Sequence, residues 1–124
     1  MIQTMTAPPR TSASRAARVA FWVLVVLTGV LAAIHLAGIL FIADGDDERL
    51  MFTCFTALNA LSLVVLLFPF RGGQPWAWAA SWIQVVPNAL VLPLLGREGP
   101  GPQYLAFTVT MAVCLFLARP LTNP

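Results

Sequence analysis

One histidine, His35, lies inside an apolar run, and it is the single side chain there whose charge can change near neutral pH. Asn59, Gln84 and Asn88 are the other strongly polar groups inside apolar runs, and Thr56 stands one helical turn before Asn59. An ionisable group within a membrane points by default to a polar pocket or a proton-handling site. The bland alternative is that these groups hydrogen-bond across helices and hold them together. Both readings use the same candidate ligand-binding set, His35, Thr56, Asn59, Gln84 and Asn88. No nucleophile paired with a base, no carboxylate pair and no metal-ligand cluster is found within the runs, so no enzyme activity, metal or cofactor is expected. Cys54 and Cys114 are far apart, form no CxxC pair, and read as small buried hydrophobes.

The elements that must carry these residues are four apolar runs: about 19–43, 50–70, 76–95 and 103–118. A transmembrane helix needs about 20 apolar residues, within a range of roughly 17–25. The first three runs fit; the fourth is the shortest. No charged residue interrupts any of them, whereas a soluble helix would carry a polar face. The chain is 59% hydrophobic and 10% charged, against roughly 25% charged in a soluble domain. So much apolar surface cannot be hidden in so small a soluble fold. The expected fold is all-α: a four-helix transmembrane bundle, up-down-up-down, over residues 19–119.

Residues 1–18 are rich in Ala, Ser, Thr, Pro and Arg and read as a disordered cytoplasmic tail. The first run is too long for the apolar core of a signal peptide, so it reads as a retained span. Asp44-Gly45-Asp46-Asp47-Glu48 is a short loop with helix-start chemistry, and it lacks the spacing of a calcium loop. Arg71-Gly72-Gly73-Gln74-Pro75 is a turn, and Gly96 to Pro102 a loop. Residues 120–124 form a cytoplasmic stub.

Cytoplasmic loops concentrate arginine. With the N-terminus inside, Arg10, Arg15, Arg18, Arg71 and Arg119 fall on the cytoplasmic side, and Arg49 and Arg97 outside. Trp22, Trp76 and Trp78 then lie at the inner interface and Tyr104 near the outer one. Both termini are expected in the cytoplasm, in a bacterial inner membrane. The net charge of +2 with no basic cluster gives no reason to expect nucleic acid. The expected partners are the lipid bilayer, a second copy or another membrane protein, or a small hydrophobic ligand.

Spacing places the polar residues on faces. Thr53, Thr56, Asn59 and Ser62 form a drifting stripe on the second span, and Ser81, Gln84 and Asn88 share a face of the third. Gly29, Ala33 and Ala37 form a small-residue row on the first, of the kind that admits close helix approach. Counted at about 1.5 Å per residue from the outer ends, His35 lies roughly 12 Å deep, Asn59 roughly 13, Gln84 roughly 16 and Asn88 roughly 10. The four are therefore expected at one level. Pro87 should free a carbonyl and bend the third span beside them.

The segment Arg71-Gly72-Gly73-Gln74-Pro75-Trp76-Ala77-Trp78 resembles a turn of small, uncharacterised four-helix membrane proteins of actinobacteria. The general layout is similar to DoxX-like families. That resemblance implies four helices. The chain resembles small multidrug transporters less, because its first span lacks their membrane carboxylate. It shares His35, Asn59 and Trp82 with sterol-isomerase-like proteins but has no intramembrane Glu. The leading expectation is a non-enzymatic accessory or partner-binding protein; the alternative is a binder or transporter of a small hydrophobic ligand in the outer half of the membrane.

Overall fold

A computed structural model describes residues 14–95 and 101–122. The expectations for residues 1–13, 96–100 and 123–124 lie outside the described residues. Four helices make up the fold: α1 (Arg15–Phe41), α2 (Asp46–Val65), α3 (Pro75–Leu95) and α4 (Gly101–Ala118). No strand occurs among the described residues. A π-helical turn, Leu66–Phe70, extends α2, and a 3-10 turn, Arg119–Leu121, follows α4.

Local chemistry explains where the helix ends depart from the sequence-based bounds. α1 starts at Arg15 rather than beyond Arg18, because the Ser14 hydroxyl accepts the Ala17 N–H at 3.2 Å and satisfies a free donor of the first turn. α2 starts at Asp46 with Asp46, Asp47 and Glu48 in its first turn, where negative charge suits the helix dipole. Its N-cap is Gly45, without a side-chain bond, and Glu48 reaches back to the Asp44 N–H at 3.0 Å. α4 includes Gly101 and Pro102, since the missing proline N–H costs nothing in a first turn. Within the C-terminal stub Thr122 packs back: it is 1% exposed, and its N–H and hydroxyl both donate to the Arg119 carbonyl at 3.0 Å.

Pro69 lies inside the π turn. A proline there withdraws one donor from the ladder. The widened turn re-forms it, with the Arg71 N–H reaching the Leu66 carbonyl at 3.1 Å and the Gln74 N–H reaching Pro69 at 2.9 Å. The helix α3 runs on through Pro87 to Leu95.

Three helical stretches are long and apolar enough to cross a membrane: Arg15–Phe41, Asp46–Phe70 and Pro102–Leu121. The fourth run, the shortest in sequence, is one of them once its terminal turn is counted. α3 is not among the three. Large apolar side chains stand outward on every helix, including Val26, Leu40, Phe41, Leu61, Phe68, Ile83 and Phe116. Such surface suits lipid and would be a hazard in water.

Inside, α1 packs against α2 and α4, and α3 packs against α4. α1 buries Phe21, Leu24, Thr28, Leu31, His35 and Gly38, alternating steps of three and four residues, which keep one seam inward. The expected close-approach row is displaced from that seam. A Cβ on Gly29 would meet nothing within 4 Å, and Ala33 is exposed. The close approach is at Gly38, where an added Cβ would lie 2.6 Å from the Phe52 ring. Cys114 is buried as expected, but Cys54 is exposed on α2.

Two ends are defined by contacts. Phe21 stacks on Phe70 at 5.5 Å, the Arg71 guanidinium lies over Trp22 and that of Arg119 over Trp78. The start of α1, the end of α2, the start of α3 and the end of α4 therefore meet at one end. The acidic turn before α2 lies at the other.

Candidate functional site

His35 is 1% exposed and is held from two other helices. Its Nδ1 lies 3.0 Å from Asn59 Nδ2 on α2, and its Nε2 lies 2.9 Å from the Tyr104 hydroxyl on α4. Asn59 Nδ2 also donates to the Phe55 carbonyl at 2.8 Å. A carbonyl can only accept, so that contact fixes which end of the Asn59 amide carries the hydrogens. The second hydrogen of the same nitrogen is then available to His35 Nδ1 as an acceptor, 3.0 Å away. With that bond made, the imidazole proton sits on Nε2 and is donated to Tyr104. That arrangement favours the neutral Nε2–H tautomer, through Asn59 and the Phe55 carbonyl behind it. Phe55 stacks on the imidazole at 5.1 Å and 17°, and Phe52 and Tyr104 close around it.

A second polar contact lies elsewhere. Thr28 Oγ1 is 2.8 Å from the Leu24 carbonyl and 3.0 Å from Gln84 Oε1. One hydroxyl hydrogen cannot serve two acceptors. Turning the amide lets Gln84 Nε2 donate to Thr28 while Thr28 donates to Leu24. In either orientation one side of the Gln84 amide has no partner among the described residues. Asn88 Nδ2 donates to the Gln84 carbonyl at 2.7 Å, and Asn88 Oδ1 is likewise buried without a partner among the described residues.

The expected single level divides into two. Thr28 precedes His35 by seven residues on α1, which is roughly 10 Å along the axis. Depth counting takes all helices to end in one plane; Gln84 instead reaches Thr28, below the level of His35 on α1. His35 and Asn59 do meet, as their depths suggested. Gln84 and Asn88 share the inward face of α3 with Ser81. Thr56 is half-buried and donates to the Phe52 carbonyl at 2.7 Å within its own helix.

Two partners escaped the sequence reading. Tyr104 was placed as an interface anchor, but its hydroxyl is the acceptor for His35. The signal available was a lone phenol one turn into α4, on the face that Thr108 and Met111 also bury. Thr28, a lone threonine on the first span, carries no spacing signal that would pair it with Gln84. Among the described residues no group of His, Cys, Asp and Glu could hold a metal ion.

No family model matches the chain, and no curated protein or solved structure matches it. The class it defines by itself is an all-helical protein with three helices long and apolar enough to cross a membrane. Buried polar contacts join α1 to each of the other helices.

Proposed function

We propose that the chain is a small integral protein of a bacterial inner membrane, a four-helix up-down-up-down bundle with both termini cytoplasmic, and that it acts as a non-enzymatic accessory or partner-binding component. α3 serves as the remaining crossing. The ends of α2 and α4 meet at one end of the protein, so the chain must return between them. Its 21 residues reach about 30 Å at 1.5 Å per residue. The orientation is supported by Arg15, Arg18, Arg71 and Arg119 at that end, against Arg49 beside four carboxylates at the other. The likeness to small actinobacterial and DoxX-like membrane proteins belongs to the same reading.

The observation that carries the non-enzymatic part is the occupancy of His35. Both ring nitrogens are engaged by the protein itself. A general base needs a free lone pair within reach of its substrate, and this imidazole offers none. It acts as a clasp between α1, α2 and α4.

One observation favours the alternative, a binder of a small hydrophobic ligand bearing a polar group. The Gln84 amide and Asn88 Oδ1 keep unused hydrogen-bonding capacity in the interior. The double substitution Gln84→Met with Asn88→Leu separates the readings. For an accessory protein it leaves thermal stability unchanged or raises it, because each substitution removes one unpartnered buried polar atom while Thr28 keeps its bond to the Leu24 carbonyl. A lipid-soluble extract of the native membranes then has no differential effect. If that extract stabilises the natural chain and not the double variant, the ligand reading replaces the accessory one.

A further inference from the structure

Four arginines stand at one end of the protein with no carboxylate near them among the described residues: Arg15, Arg18, Arg71 and Arg119. The described carboxylates, Asp44, Asp46, Asp47 and Glu48, are all at the opposite end. One of the four arginines is built into a cleft. The Arg119 guanidinium lies 4.8 Å from the centre of the Trp78 ring. The Trp78 N–H is engaged by the Leu115 carbonyl at 2.9 Å, which holds the indole in place and leaves a face for the cation. Thr122, tied to the Arg119 carbonyl, closes the turn behind it.

Pro75, Trp78, Arg119 and Thr122 line a cleft of about 190 Å³. Pro75 is the first residue of α3, so the cleft opens at the positive end of that helix dipole, and no acidic residue occupies the first turn. The cation and the helix start both select an anion, and no carboxylate among the described residues lies at this end. The level of the site selects the kind of anion. Arg71 over Trp22 at 5.7 Å is a second cation–indole pair at the same end, and indoles favour the headgroup level of a bilayer. Phe116 and Leu117 lie exposed on α4 within a turn of Arg119 and offer a track for an acyl chain.

We propose that this cleft seats the phosphate diester of an anionic glycerophospholipid from the adjoining leaflet. Arg119 pairs with the phosphate, and Trp78 packs against the glycerol. The site needs the bilayer and not a particular orientation of the chain in it.

The test uses the full chain in phosphatidylcholine vesicles with and without phosphatidylglycerol, and reads the shift in thermal unfolding midpoint between the two lipids. Each variant is its own reference, so a general loss of stability does not obscure the shift. Phosphatidylglycerol should raise the midpoint of the natural chain. Arg119→Gln should lose the shift, Arg119→Lys should keep part of it, and Arg15→Gln with Arg18→Gln should keep it whole. The apparent affinity for a short-chain phosphatidylglycerol should fall about fivefold in Arg119→Gln, the factor equivalent to about 1 kcal/mol per basic residue at a membrane surface. A full shift in Arg119→Gln overturns the proposal. So does an equal loss in the Arg15/Arg18 variant, which would mean diffuse charge attraction. A shift produced by inorganic phosphate in pure phosphatidylcholine would assign the cleft to the free ion.

Discussion

Because the chain has a single histidine, imidazole nitrogen NMR of the selectively labelled protein reports on His35 alone. The bond pattern through Asn59 favours a bare Nδ1 and a protonated Nε2, and the two nitrogen shifts test that assignment directly. Tyr104→Phe removes the acceptor of that Nε2 hydrogen and leaves a buried donor unpaired, which costs about 1–3 kcal/mol. The expected outcome is a lowered unfolding midpoint together with a shifted Nε2 resonance, while Nδ1, still facing Asn59, holds its position. Thr110→Ala is the control: that hydroxyl is exposed and bonds only to its own helix at Ala106, so its loss should change neither reading. His35 and Asn59 could be paired from the sequence because loop lengths fix relative depth for two helices joined by a short turn. Tyr104 could not, because its helix follows α3 and the intervening offsets are invisible in a string of residues.

At the scale of the helix, the decisive contact is Gly38 against Phe52. A methyl group there would meet the ring at 2.6 Å, so Gly38→Ala should destabilise the protein by about 1–3 kcal/mol, the usual cost of overpacking. Phe52→Leu should relieve part of that cost, and a double-mutant cycle on thermal stability measures the coupling. Gly29→Ala, with open space around it, should be close to neutral. Small-residue spacing alone suggested the Gly29, Ala33, Ala37 row instead. Such spacing marks where approach is permitted; where approach occurs depends on which stripe carries the larger inward residues, and Leu24, Leu31 and His35 set that stripe on α1. The polar face of α3 was legible in full and that of α2 in part. Ser81, Gln84 and Asn88 are all buried, and so are Asn59 and Ser62 of the α2 stripe, whereas Thr56 is half-buried and Thr53, its first member, is exposed and bonds to its own helix at Arg49. The π turn was not legible, since Pro69 reads equally well as a helix end.

For the whole molecule, the proposed orientation is checked by placing a single cysteine at Ser14 or at Gly45 after replacing the exposed Cys54 with serine and the buried Cys114 with alanine. A membrane-impermeant maleimide added outside should label Gly45→Cys in intact cells and Ser14→Cys only after permeabilisation; the reverse pattern would turn the protein over. The clasp at His35 also has a bearing on how the chain is made. Helices leave the ribosome and enter the membrane in order, and α4 comes last. Until Tyr104 arrives, the His35 Nε2–H faces hydrocarbon or water with no phenol to take it, although Asn59 has already fixed the proton there. Assembly intermediates therefore carry a polar flag at α1 that only the final helix removes.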